Sequence, residues 1–416
     1  MLNLIGIIVA FVLIIILIRL KFNFGLSLII GSLIVGLFSL QEIQLIDIPK
    51  AIIEASIYSF ENQEIYTETL ELAILMTLIF ILAKIMQETG AIVKLIDSLR
   101  SFFSKGGTIG VIPAVYGLMP IPGGALFSAP PIDKEGEKYG LDSCQKNFLN
   151  VWFRHIWFPI YPISSAMILL CSERFTNINI YDLVLVDIPV FILMTLIGIF
   201  ILKKLIIKNN DVEKHQKDYS GLIFLLPPLF PIFVYAILQF FNIPQTRTFI
   251  IGIIISLIIL FFMLKIPKEK YLKILKKSLS YKLALAIFGI MIFRQMIEAS
   301  GATNIIQEGI ASTAIPSILL IILIPFFLGT ITGYNLGSVA LSYPIVASLQ
   351  GDIPAVSFAS IIFISSFVGY LISPIHLCNV VSSEYLKTDT TKMYKFYIPS
   401  VSLLLFLHVL IVLTIL

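Results

Sequence analysis

The sequence predicts an all-α polytopic membrane protein: about ten transmembrane helices plus two re-entrant hairpins, set in an inverted-topology repeat. Three observations carry this. First, only 13% of the 416 residues are charged, 58% are hydrophobic, and the mean hydropathy is +0.98. A soluble chain keeps about 25% charged residues to cover its surface, so lipid must cover this one. Second, apolar runs of about 20 residues, each long enough to cross the hydrocarbon core, recur along the whole length. Third, two apolar regions are interrupted by Gly, Pro and small polar residues, as in LMPIPGGALFSAPPID at 118–133.

Hydropathy places spans near 2–20, 24–41, 69–87, 147–171, 181–203, 221–241, 249–264, 283–298, 355–381 and 396–416. The first lacks a basic n-region and a small-residue cleavage site, so it reads as a retained span. The net charge of +4 suits a lipid surface and gives no reason to expect nucleic acid. Cys144, Cys171 and Cys378 have neither CxxC nor zinc-like spacing, so neither a disulfide framework nor a metal site is expected.

Loop charge sets the orientation, because lysine and arginine stay on the cytoplasmic side. The loops at 203–219 and 265–282 are lysine-rich and are expected inside. The 42–71 segment, with seven acids and only Lys50, is expected outside. Counting crossings from an external N-terminus, residues 107–133 must enter and leave on the inner side. The same count makes 314–350 a hairpin entering from outside. Lys387, Lys392 and Lys395 then fall inside, and both termini are external. The expected location is a cell membrane, with the chain crossing many times.

The two halves resemble each other. KIMQETGAIVKLIDSL at 84–99 aligns with QMIEASGATNIIQEGI at 295–310, with Gly90 opposite Gly301. PGGALFSAPPI at 122–132 aligns loosely with LGSVALSYPI at 336–345, and IYPI at 160–163 with ISPI at 372–375. The domain reading is a first repeat at 1–204, a cytoplasmic linker at 205–220 and a second repeat at 221–416. Each repeat holds five spans and one hairpin, and an odd number of crossings inverts the second relative to the first.

An unpaired backbone group in hydrocarbon costs several kcal/mol, so broken backbone survives there only if protein buries it or water reaches it. Four such breaks occur as two pairs: hairpin tips at 119–124 and 332–338, and broken spans at 158–165 and 372–379. Half-helices starting at these breaks would direct N–H groups and positive dipole ends at one volume suited to an anion. The candidate binding residues are Pro122, Gly123, Gly124, Ser128, Arg154, Tyr161, Ser164, Ser165, Asn335, Gly337, Ser338, Ser373, His376 and Asn379. Freed carbonyls at the same breaks can hold Na⁺; the His376 imidazole either couples H⁺ or simply satisfies freed backbone carbonyls. No cofactor is expected. The competing interpretation of the breaks is ordinary kinks with small residues for close helix packing.

The GALFSAPPID hairpin and the GYLISPIHLCN segment resemble an uncharacterised family of prokaryotic integral membrane proteins grouped with the ion transporter superfamily. That superfamily includes gluconate permeases, divalent-anion:sodium symporters and the large membrane subunits of tripartite periplasmic transporters. The resemblance implies an inverted-repeat fold with a scaffold part and a moving transport part, a homodimer, and small organic or inorganic anions as substrates. The Ser-Asn-Thr motifs of the divalent-anion symporters are missing, and the equivalent tips read PGG and NLGS. Dicarboxylate as substrate and sodium as coupling ion are therefore not carried over.

Two charged sites remain open on sequence grounds. Arg154, between Trp152 and Trp157, either reaches a substrate path or snorkels to the inner interface. Arg294 and Glu298, four residues apart, read as a pair on one helix face. The segment 265–282 reads as a basic amphipathic helix on the inner leaflet. The expected function is ion-coupled secondary transport of a small anion, carboxylate in type, by alternating access. The alternatives are a membrane subunit that needs a separate solute-binding protein and, last, an intramembrane enzyme. No HExxH, paired membrane aspartates or Ser/His pair supports an enzyme.

Overall fold

The computed structural model describes the chain except for residues 1, 61, 101, 103–105, 120–122, 207–217, 302–314 and 416. The part of the linker at 207–217 and the second-repeat match at 302–310 thus lie outside the described residues. What is described is almost entirely helical; a two-stranded antiparallel ribbon, Tyr58–Ser59 with Glu64–Ile65, is the only sheet among these residues. Seven helices among them are long and apolar enough to cross a membrane, as the composition requires of a multi-pass protein. The expected spans at 24–41 and 283–298 are helices that miss this standard. Phe24–Phe38 is short, and Tyr281–Ala299 carries Lys282, Arg294 and Glu298.

The helices separate into two compact units, each assembled from three stretches of sequence. The first unit comprises Met1–Thr77, Ser165–Ile178 and Ser280–Tyr370. It contains α1 (Leu2–Arg19), α2 (Phe24–Phe38), α3 (Asp47–Ser56) and the start of α4 (Glu68–Glu88). The unit also includes the one-and-a-half-turn α9 (Ser165–Leu170), α14 (Tyr281–Ala299), α15 (Ser317–Thr332), α16 (Asn335–Val346) and most of α17 (Ala355–Ile372). Helix α2 starts where the Asn23 side chain accepts the Leu26 N–H at 3.1 Å. It packs along α1 and α14. A β-carbon on Gly25 would overlap the Leu285 carbonyl, and one on Gly289 would overlap the Gly25 carbonyl. The two helices therefore meet backbone to backbone, as small residues allow in membranes. Helices α15 and α17 meet in the same way at Gly329 and Gly369, where the Thr330 hydroxyl donates to the Gly369 carbonyl at 3.3 Å. Arg294 and Glu298 form the expected pair at 2.6 Å.

The second unit comprises Leu78–Ser164, Asn179–Leu279 and Leu371–Leu416. It holds the end of α4, then α5 (Ala91–Arg100), α6 (Gly107–Gly117), α7 (Ala125–Glu137), α8 (Ser143–Arg154) and α10 (Ile180–Leu205). Further along come α11 (Leu226–Leu238), α12 (Gln245–Leu264), α13 (Lys268–Ser278), α18 (Leu377–Tyr385) and α19 (Tyr394–Ile415). Helix α8 opens on a capping box: Asp142 accepts the Gln145 N–H at 2.8 Å and Gln145 accepts the Asp142 N–H at 3.0 Å. The helix stops at Arg154 because Pro159 has no N–H for the His155 carbonyl and its ring crowds that position. Pro374 ends α17 similarly, and α18 restarts three residues beyond it.

Helix α13 carries Lys268, Lys270, Lys273, Lys276 and Lys277 of the 265–282 segment and buries Tyr271, Ile274 and Ser278 on one face. The Tyr271 hydroxyl donates to the Leu257 carbonyl at 2.6 Å, and burial pushes its phenol up to about 12. Removing the hydroxyl leaves that buried carbonyl short of a donor, so Tyr271→Phe is expected to cost about 1 kcal/mol in thermal or denaturant unfolding. The raised phenol pKa adds stability that is complete below about pH 10 and is lost as pH rises through about 12. Equal unfolding midpoints for both proteins would refute this bond's role.

Candidate functional site

Both interrupted regions fold as helix–break–helix pairs: α6 with α7 in the second unit, and α15 with α16 in the first. Each packs on a half-helix that follows a proline break. In the second unit α7 lies on α18, and in the first α16 lies on α9. Polar side chains collect at both places.

In the second unit the first hairpin turns through Gly123, at φ +68°, where a side chain would be strained. Gly124 has an ordinary helical φ of −59°, so its need is for space. A β-carbon there would come within 2.8 Å of three guanidinium atoms of Arg154. Arg154 is buried, and its Nη2 donates to the Met119 carbonyl at 3.3 Å. The side chain turns to the hairpin tip and not to an exposed surface. Pro122, proposed as part of this tip, lies outside the described residues.

Behind the tip runs a buried polar seam. The Ser128 hydroxyl donates to Asn150 Oδ1 at 2.5 Å. Asn150 Nδ2 in turn donates to the Ala125 carbonyl at 3.0 Å and to Ser382 Oγ at 2.8 Å. One helical turn earlier, Asn147 Nδ2 donates to Ser383 Oγ at 2.6 Å, while its buried Oδ1 accepts no hydrogen bond among the described residues. Asn379 holds the second break closed. Its Nδ2 donates to the carbonyls of Leu371 at 3.0 Å and Ser373 at 3.2 Å, and its Oδ1 accepts from Tyr397 at 2.9 Å. Ser373 Oγ accepts the Ile375 N–H at 3.3 Å. His376 caps α18 and stacks edge-on against His155, with ring centroids 4.9 Å apart. Tyr161 donates to the Pro228 carbonyl at 3.1 Å, and Ser164 is buried beyond it in the chain.

In the first unit Asn335 begins α16. Its Oδ1 accepts from Ser366 Oγ at 2.7 Å, and its buried Nδ2 has no hydrogen-bond acceptor among the described residues. Ser338 donates to the Pro325 carbonyl at 2.7 Å. A β-carbon on Gly337 would sit 3.0 Å from the Tyr334 ring and 3.1 Å from that of Phe24, a tight contact with side chains alone. Ser165 also belongs to this unit, at the start of α9.

The expected residues therefore fall in two groups. Gly123, Gly124, Ser128, Arg154, Tyr161, Ser164, Ser373, His376 and Asn379 lie in the second unit; Ser165, Asn335, Gly337 and Ser338 lie in the first. Sequence reasoning missed Asn147, Asn150, Ser366, Ser382 and Ser383. A signal was present: Asn147, Asn150 and Arg154 recur at helical spacing in NFLNVWFR, so they share one face of an otherwise apolar span.

Apolar spans, broken helices and buried polar seams define the class: a helical, multi-pass membrane protein. Residues 2–415 match the family described as protein of unknown function (DUF401), and the chain belongs to that family. Comparison with curated proteins gives no match.

Proposed function

We propose that this protein is a secondary active transporter that moves a small anion, carboxylate in type, across the cell membrane by alternating access. The observation that carries the proposal is Arg154: a buried guanidinium held against the glycine tip of a helical hairpin. A permanent cation inside a membrane span is costly and is retained where an anion or an ion path needs it. Its planar fork matches a carboxylate with two hydrogen bonds. The glycine next to it lets the guanidinium lie directly against the start of α7.

The proposed fold is the inverted repeat of ion-coupled transporters, and the element order supports it. Helix pairs α1/α2 and α11/α12 are each followed by a short helix, then by α4 or α14. Gly90 and Gly301, aligned on sequence, follow α4 and α14 at φ +76° and +66°. A hairpin, a broken span and a closing helix come next in both halves. In the register that sets Ile160 opposite Ile372, Arg154 falls opposite Ser366, and each contacts the hairpin of its own unit. Membership of the ion transporter superfamily, external termini, a homodimer and coupling to Na⁺ or H⁺ complete the proposal.

A thermal-shift screen of the purified chain tests it, using carboxylates, sugar acids and inorganic oxyanions with and without Na⁺ at two pH values. A ligand at 100 times its Kd stabilises the folded state by about 2.7 kcal/mol. At least one anion is expected to raise Tm in the native protein and not in Arg154→Ala. A hit that survives Arg154→Ala removes Arg154 from the site. No hit at all favours a subunit fed by a separate solute-binding protein.

A further inference from the structure

We propose that His155, His376 and Cys378 form a binding site for a thiophilic monovalent cation, with Cu(I) as the fitting ion. This goes beyond anion transport and does not depend on it. The three side chains are buried in the second unit, and their candidate donor atoms all lie within 4.8 Å of one another. They come from two fixed points in the fold. His155 is the residue that ends α8, while His376 and Cys378 open α18. Both points are set by prolines, so the cluster is built by the same breaks that shape the hairpin contact.

The surroundings of His155 suit a ligand. Its Nδ1 lies 2.6 Å from the Val151 carbonyl. A carbonyl oxygen only accepts, so Nδ1 carries the proton and Nε2 presents its lone pair. Metal-bound histidines characteristically donate their other N–H to a backbone carbonyl in this way, which fixes both tautomer and ring angle. The Cys378 sulfur lies within 4.8 Å of a His155 ring nitrogen, so sulfur and imidazole are already neighbours. The two imidazoles meet at 71°.

Distance and charge select the ion. Bonds of about 2.0 Å to nitrogen and about 2.3 Å to sulfur, arranged in a trigonal plane, need donors about 3.5–3.7 Å apart. About 1 Å of side-chain closure reaches that from the observed spread. A thiolate and two neutral imidazoles are soft to borderline donors, which favour Cu(I) and Zn(II) over hard cations. The cluster contains no carboxylate, and the buried Arg154 immediately precedes His155 at the end of α8. A divalent ion would leave net positive charge beside a buried guanidinium, which is costly away from water. Cu(I) on one thiolate leaves none. Binding is balanced as Cys378 S–H plus Cu⁺ giving the S–Cu bond, with the proton released to water.

The test uses the full chain purified in detergent under reducing conditions and titrated with Cu(I) against bicinchoninate. One Cu(I) per chain is expected, with an X-ray absorption spectrum showing one sulfur and two nitrogen neighbours. Cys378→Ser and His376→Ala are each expected to weaken binding by about tenfold or more, while Cys144→Ser and Cys171→Ser leave it unchanged. Absence of stoichiometric binding overturns the proposal. So does binding that survives Cys378→Ser, a sulfur-free coordination shell, or a preference for Zn(II) over Cu(I) in competition. The absorption spectrum is read on the native protein, so the proposal stays testable if a variant fails to fold.

Discussion

Gly124→Val is expected to abolish transport while leaving the protein folded and inserted. The added side chain takes the space of the Arg154 guanidinium. What it meets is the far end of a flexible side chain, which can swing away, so the hairpin keeps its backbone. The guanidinium then no longer faces the tip, and a displacement of about 1 Å at a preorganised polar site costs about a hundredfold in rate. Reconstituted vesicles loaded with the anion identified by thermal shift give the measurement, and size-exclusion profiles report folding. The double variant Gly124→Val/Arg154→Ala removes the overlap and the charge together. It is expected to fold as the single variant does and still not to transport. Gly337→Ala, which meets side-chain rings at 3.0 and 3.1 Å and no backbone, is expected to cost less than Gly25→Val. Full activity in Gly124→Val would end the hairpin-tip proposal.

Gly25→Val has the opposite expected signature: loss of the folded protein itself. Here the obstacle is backbone, the Leu285 carbonyl and the Ala286 amide, and neither can move without separating α2 from α14. Overpacking of this kind costs about 1–3 kcal/mol and more where backbone must shift. The whole of α2 loses close contact with α14, so low yield and a Tm far below the native value are expected. Gly289→Val meets the same interface from the other side and should match it. A Gly25→Val protein with native Tm would show that the two helices do not approach as described. Contrasting the two valine variants separates glycines that serve packing from the glycine that serves a site.

Much of the helical layout was legible in the sequence, because bilayer thickness imposes a length on every span and proline imposes its break points. The gap between Arg154 and Ser165 and the one between Ile372 and Leu377 follow from Pro159, Pro162 and Pro374. The helix α3 and the ribbon at Tyr58–Ile65 were not legible, since the acids of 42–71 signal an exposed segment and say nothing about its shape. Polar partners were also hidden. Asn150 meets Ser382 and Asn147 meets Ser383 across more than two hundred residues of chain, and no local pattern encodes such a pairing. His155 illustrates the point most directly. No sequence motif singles it out, and only the fold places its ring against His376 and near Cys378.

The discontinuous build of the two units has a consequence for biogenesis. Helix α2 leaves the ribosome early, yet its closest partner α14 lies beyond residue 280, so Gly25 waits for Gly289 through most of translation. The first unit cannot close until residue 370 has been made, and the second not until the last helix arrives. Insertion of spans and assembly of units are therefore separate stages, with the early helices held in lipid as independently stable spans. Contacts so distant in sequence make assembly slow and leave partly built intermediates exposed to proteases and chaperones. Chains truncated after residue 279 should accordingly insert, remain unassembled, and be cleared by the cell's membrane quality control.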